Sequence, residues 1–163
     1  MEYFFRTDQL EILNHLIFDS SIDIDNLEKI SSLDTSVEFE IERRTLENVT
    51  RKRKIIGTVT ILNGMTSLIR FEQIDNLSVS GLSENYRHNH FLDSIELDND
   101  GKLKIKSVNG LLIQMNTSKK TKIILLDLRE SEFGKGKVFG KTGFTADEWT
   151  EYLKEKSYSD SRT

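Results

Sequence analysis

Gly140-Lys141-Thr142 lies within the stretch FGKGKVFGKTGFTADEW, Phe133 to Trp149, and has the ending of a phosphate-binding loop. Such a loop needs G-x-x-x-x-G-K-[ST], because that spacing curls the backbone N–H groups around the phosphates. The first glycine belongs at residue 135, where this chain has lysine between Gly134 and Gly136. A helix should also start at the Lys-Thr step, whereas the capping signal comes later, at Thr145. The spacing therefore excludes a Walker-type loop. What remains is a glycine-rich connector over residues 131–144, in which Lys135, Lys137 and Lys141 near a helix N-terminus form a candidate anion site.

Other clusters are incomplete in the same way. His88 and His90 stand two apart, and a metal site would need Asp93 or His15 to complete a tetrahedral or facial set. Glu96, Asp98, Asp100 and Gly101 resemble the start of a calcium loop, but Ser107 stands where the bidentate acid belongs, so a hairpin turn is expected. There is no G-x-S-x-G elbow and no cysteine, which excludes thiol catalysis, thiolate metal sites and a disulfide framework. These motifs indicate no catalytic residue, resident metal or cofactor.

Charge offers two candidate surfaces. Residues 1–50 hold twelve of the 27 acids and four of the 23 bases, so the front carries −8 and the remainder +4. Glu38, Glu40 and Glu42 alternate along one strand and could meet a basic protein partner. Arg51 to Lys54, Lys102/Lys104/Lys106 and Lys119/Lys120/Lys122 could instead contact phosphates of a nucleic acid. No aromatics interleave with these lysines, so a stacking platform for single strands is missing. Alternating lysines also keep a wet strand face soluble.

The elements that must position these residues follow from periodicity. A chain of 163 residues, 36% hydrophobic and 31% charged, is long enough for one domain with its own core. Leu10, Leu13, Leu16 and Ile17, after Asp8 and Glu11 in capping-box form, predict an N-terminal helix within a helical segment 1–33. A second short helix is expected around Asn26 to Ile30, with Leu27 and Ile30 buried. Period-two alternation then begins, with Val37, Phe39 and Ile41 on one face. Lys54–Leu62 and Thr66–Gln73 flank Asn63-Gly64, which predicts a tight hairpin turn there. Strands at Asn76–Leu82, Ser94–Leu97, Lys102–Val108, Leu111–Met115 and Thr121–Arg129 complete a sheet over 35–130. Ile123 to Leu126 form an apolar run that predicts cover on both faces. Thr145 and Glu148 cap a last helix over 145–156, with Trp149, Tyr152 and Leu153 on its apolar face and 157–163 as a disordered tail. The fold class is α+β: a large antiparallel meander, sandwich or half-barrel, with a helix at each end.

Residues 69–116 resemble the β-rich core of the bacterial polymorphic-toxin immunity-protein group, particularly its family fifty. The resemblance rests on IRFEQIDNLSVSG, an Asn-containing loop, the I-x-L strand of SIELD, a -DG- turn and the S-x-x-G hairpin SVNG. It covers about 50 of the 163 residues and implies a cytoplasmic, non-enzymatic protein that binds another protein. The N-terminal stretch carries acids at Glu2, Asp8 and Glu11 without the basic start of a signal peptide, and no apolar run is long enough to span a bilayer. The expectation is a cytoplasmic protein-binding module with no membrane partner; a nucleic-acid-binding domain is the alternative, and an enzyme of unrecognised type the second.

Overall fold

The structure, a computed structural model, describes residues 1–22, 35–81 and 90–160, with side chains described as far as Lys156. Among the described residues, nine strands form one sheet: β1 (Glu2–Arg6), β2 (Ser21–Ile22), β3 (Ser36–Lys54), β4 (Gly57–Glu72), β5 (Asp75–Ser80), β6 (His90–Leu97), β7 (Lys102–Ser107), β8 (Leu112–Asn116) and β9 (Lys122–Phe139). Among the described residues, two α-helices accompany the sheet in this α+β fold, α1 (Leu10–Ile17) and α2 (Ala146–Asp160). All pairings are antiparallel, in the order β1-β9-β4-β3-β2-β6-β7-β8-β5. β2–β3–β4 and β6–β7–β8 each follow in chain order; β9 returns to pair between β1 and β4, β6 pairs with β2, and β5 pairs with β8.

Two-residue β2 is the bridge between the halves, since Ser21 pairs with both Glu42 and Phe91. Helix α1 locks that bridge. Asn14 Nδ2 donates to the Ile95 carbonyl at 2.8 Å, and its Oδ1 accepts from the Ile95 N–H at 2.7 Å, where the β6–β7 register shifts. The apolar stripe of α1, Leu13, Leu16 and Ile17, is buried in the same core as Val37, Phe39, Ile41, Ile69, Phe71, Ile105 and Ile113. Full burial of such a side chain contributes about 1.5–3 kcal/mol, so the alternation of β3 and the stripe of α1 supply much of the stability.

Several expectations need correction. The opening residues are strand before they are helix: β1 pairs with Lys122–Leu126 of β9. The expected Asp8/Glu11 cap does not form; Asp8 pairs with Arg6 at 3.0 Å, and the Arg6 N–H is accepted by Gln9 Oε1 at 3.1 Å. Asn63-Gly64 is no turn but the middle of β4, beside register shifts in both flanking ladders. Gly64 is needed there because a Cβ would collide with the carbonyl oxygens of Phe133 and Ser131. The turn lies at Ile55-Ile56, closed by the Lys54–Gly57 pair. The expected connector 131–144 is strand as far as Phe139, because Gly136 to Phe139 pair with Leu62 to Val59. In the apolar run Ile123 and Leu125 are buried, while Ile124 and Leu126 are only half-buried.

Other readings hold. The Asp98–Gly101 and Asn109-Gly110 hairpins fall where expected, and Thr145 and Glu148 exchange both bonds of the capping box, at 2.8 and 3.4 Å. Helix α2 runs on to Asp160, past the expected end at residue 156. The helix expected around 26–30, Leu82 and residues 161–163 lie outside the described residues.

Candidate functional site

The three longest strands continue past their neighbours. Beyond Leu126 β9 has no β1 partner, and beyond Glu42 β3 has no β2 partner, so β3, β4 and β9 project as a three-stranded arm. Paired residues of an antiparallel ladder share a face. The register puts Lys52, Val59 and Phe139 in one row, Thr50, Ile61 and Lys137 in the next, and Lys54 with Gly57 at the end. Three lysines thus surround three apolar side chains on one face. At the tip Ile55 and Ile56 are 106% and 82% exposed, and Phe139 is 67% exposed.

The other face of the arm is closed. Val49 N–H donates to the Phe144 carbonyl at 2.9 Å, and Phe144 N–H donates to the Leu46 carbonyl at 2.6 Å, which fills the β3 bulge. Arg51 pairs with Glu148 and donates to the Gly143 carbonyl at 2.6 Å, tying α2 to β3. Glu148 is thereby held below the usual carboxylate range, chiefly by that Arg51 hydrogen bond. Lys52, Arg53, Lys54, Lys137 and Lys141 are exposed and form no ion pair with a described residue. Five free cations thus lie at the tip, while Lys102, Lys119, Lys120 and Lys122, also exposed and without an ion pair to a described residue, lie away from it.

Two amides of the Gly-Lys-Thr segment are already bonded within the fold. Gly140 N–H donates to the Thr58 carbonyl at 2.8 Å, and Thr142 N–H reaches Thr60 Oγ1 at 3.4 Å. At the helix start, Thr145 N–H and Glu148 N–H are consumed by the capping box. The candidate anion trio is also divided. Lys135 pairs with Glu132 at 2.8 Å and Glu130 at 3.7 Å, whereas Lys137 and Lys141 belong to the basic tip.

The acidic stripe is likewise engaged by its neighbours. Glu38 pairs with Arg70 at 2.6 Å, Glu40 with Arg129 at 3.1 Å, and Glu42 accepts from Ser131 Oγ at 2.8 Å. On β7, Lys104 pairs with Asp98 and Lys106 with Glu96, so only Lys102 of that stripe is without an ion pair to a described residue. His90 is buried against Ser107, Asp93 is exposed, and His15 sits in an aromatic cluster, so these three do not converge; His88 lies outside the described residues.

One cluster escapes the motif search. Arg43 is fully buried, and its Nη2 donates to Glu47 Oε1 at 2.7 Å and Asp127 Oδ1 at 2.8 Å. Its Nε donates to Ser67 Oγ at 3.0 Å, which passes a hydrogen bond on to Asp127 at 2.7 Å. Burial works against the guanidinium charge, but the bonds and charges of Glu47 and Asp127 outweigh it and raise the pKa. Tyr3 donates to Glu47 Oε1 at 3.1 Å, and burial together with the Glu47 charge pushes its phenol up, so it stays protonated. The signal was present in the sequence: the alternation Val37, Phe39, Ile41, continued one step, places Arg43 on the apolar face. Compared with known proteins, the chain matches no family model, no curated protein and no solved structure.

Proposed function

We propose that this is a non-enzymatic protein-binding module whose contact surface is the free end of the β3–β4–β9 arm. The observation that carries this reading is the pair Ile55-Ile56. Two-residue hairpin turns favour Asn, Asp and Gly, and two fully exposed isoleucines help neither the turn nor solubility. A residue choice that opposes the local fold points to a role outside it. Apolar anchors inside a ring of Lys52, Arg53, Lys54, Lys137 and Lys141 have the layout of an interface core and rim. The partner is then a protein with an apolar recess bordered by acids. The resemblance of residues 69–116 adds an immunity-type or small regulatory role in the cytoplasm. The acidic stripe, already engaged within the sheet, becomes a secondary surface at most.

The test is a photo-crosslinking residue at position 55, compared with one at position 100, in lysate of the source cell. A protein captured only at position 55 is then purified and its binding measured. Ile55→Asp with Ile56→Asp should weaken that binding at least a hundredfold, given about 1.5–3 kcal/mol for each buried isoleucine. Charge reversal at Lys52, Lys54 and Lys137 should mainly slow association and flatten its salt dependence. Salt-sensitive retention on DNA, or on anionic phospholipid vesicles, abolished by the same reversals without any protein capture, would replace this reading.

A further inference from the structure

Strand β1 stands at one end of the sheet, with β9 on its inner side and no described residue paired on its outer side. The register fixes which backbone groups face out. Asp127 N–H donates to the Met1 carbonyl, so Met1, Tyr3 and Phe5 turn their backbone groups toward β9, and Glu2, Phe4 and Arg6 turn theirs away. Gln9 Oε1 accepts from the outward Arg6 N–H, whereas the Phe4 N–H and carbonyl have no backbone partner among the described residues. The usual protection of an edge is missing: β1 has no proline, lysine or bulge, and its charges stand only at its ends, Glu2 and Arg6. At the opposite end of the sheet β5 is irregular, with a register shift between Asp75 and Ser78 and Asn76 at φ 53°.

A groove of about 310 Å³ runs along the open edge. It touches Glu2, Tyr3, Phe4 and Phe5, whose side chains alternate between the two faces, so it follows the outer side of the strand; Trp149 and Leu153 of α2 give it an apolar wall. The strand that fits this edge is β1 itself. In an antiparallel pair centred on Phe4, the two Phe4 residues exchange both backbone bonds, and Glu2 lies opposite Arg6 of the second copy on each side of the axis. These three residues share one face, so the pairing sets ring against ring and opposite charge against opposite charge. Phe4, 64% exposed, shares its row with half-buried Ile124, and the apolar strip continues across the axis. We propose that β1 pairs antiparallel with β1 of a second copy, joining two sheets through a two-fold axis at Phe4. Gln9 must release the Arg6 N–H for the outermost bonds, and five residues make a short seam, so the dimer is a weak one, in the micromolar to millimolar range.

Sedimentation velocity of the full chain over that range should show a reversible monomer–dimer equilibrium. Phe4→Lys, at an exposed position, should weaken it at least a hundredfold, since both copies lose the ring and gain opposed charges. Glu2→Arg should weaken it too, and adding Arg6→Glu should restore it, a rescue specific to this register. The chain has no cysteine of its own. Phe4→Cys should therefore give a covalent dimer in oxidised glutathione, whereas Val108→Cys, equally open to solvent, should not. Ile55→Asp with Ile56→Asp should leave the dimer intact, which separates it from the proposed protein contact on the arm. The proposal is overturned by a dimer that survives Phe4→Lys, by one lost in the isoleucine variant, or by failure of the charge swap to rescue. A chain that stays monomeric at millimolar concentration also overturns it, and leaves the edge to a strand of another protein.

Discussion

Arg43→Met lowers the urea midpoint by the equivalent of about 3–5 kcal/mol, the usual loss when one member of a buried ion pair is removed. The reason lies in what stays behind. Glu47 and Asp127 lose their shared donor, and Ser67 Oγ loses the Nε–H that orders it. Arg43→Lys should recover little. One ammonium cannot reproduce a planar fork that reaches Glu47, Asp127 and Ser67 together. The triple variant Arg43→Met, Glu47→Gln, Asp127→Asn should recover a large part of the loss, because the stranded charges disappear with their partner. An unchanged midpoint in Arg43→Met, with an unchanged denaturant slope, would mean that this network is not buried as described.

The same residues show how much the sequence made legible. Alternation at Val37, Phe39 and Ile41 and the stripe Leu13, Leu16, Ile17 identify the core, because burial on one face is a local signal. Asp98–Gly101, Asn109-Gly110 and the Thr145/Glu148 cap are likewise local chemistry, and they lie where expected. The misreadings share a different cause. Asn63-Gly64 carries the strongest local turn signal in the chain, yet pairing with β9 keeps β4 straight through it. The glycine serves close approach of a strand far away in sequence, which no local rule can weigh. β1 and the second half of β9 fail for the same reason: EYFFR and FGKGKVF become strands only because distant partners supply the ladder. Arg43 was legible by continued alternation, but its partner Asp127 was not, since only β4 brings β9 within reach of β3. The basic tip became visible only once the turn moved to Ile55-Ile56.

Helix α2 leads to the second large effect. Most of its described side chains are exposed; Trp149 is 7% exposed, and Tyr152 is half-buried beside it. The indole lies 5.6 Å from Phe144, 5.9 Å from His15 and 5.3 Å from Tyr152, ring centre to ring centre. A helix of 15 residues is marginal in water by itself, so its docking depends on that cluster and on the Arg51–Glu148 pair. Trp149→Ala should therefore cost about 3–5 kcal/mol and strip hydrogen-exchange protection from α2 before the sheet opens. His15 gives an independent reading of the same event. Burial lowers its pKa below the ordinary 6.5, with the Glu47 charge opposing that shift. The unfolded chain then takes up the proton first, so stability is held above pH 6.5 and is lost as pH falls from there toward the folded value. Undocking α2 rehydrates the imidazole. In the folded variant the His15 pKa should climb back toward its ordinary value, and the stability lost on mild acidification should shrink. A His15 titration identical to wild type, followed by NMR in folded Trp149→Ala, would mean that α2 is held by the arm and not by its aromatic face.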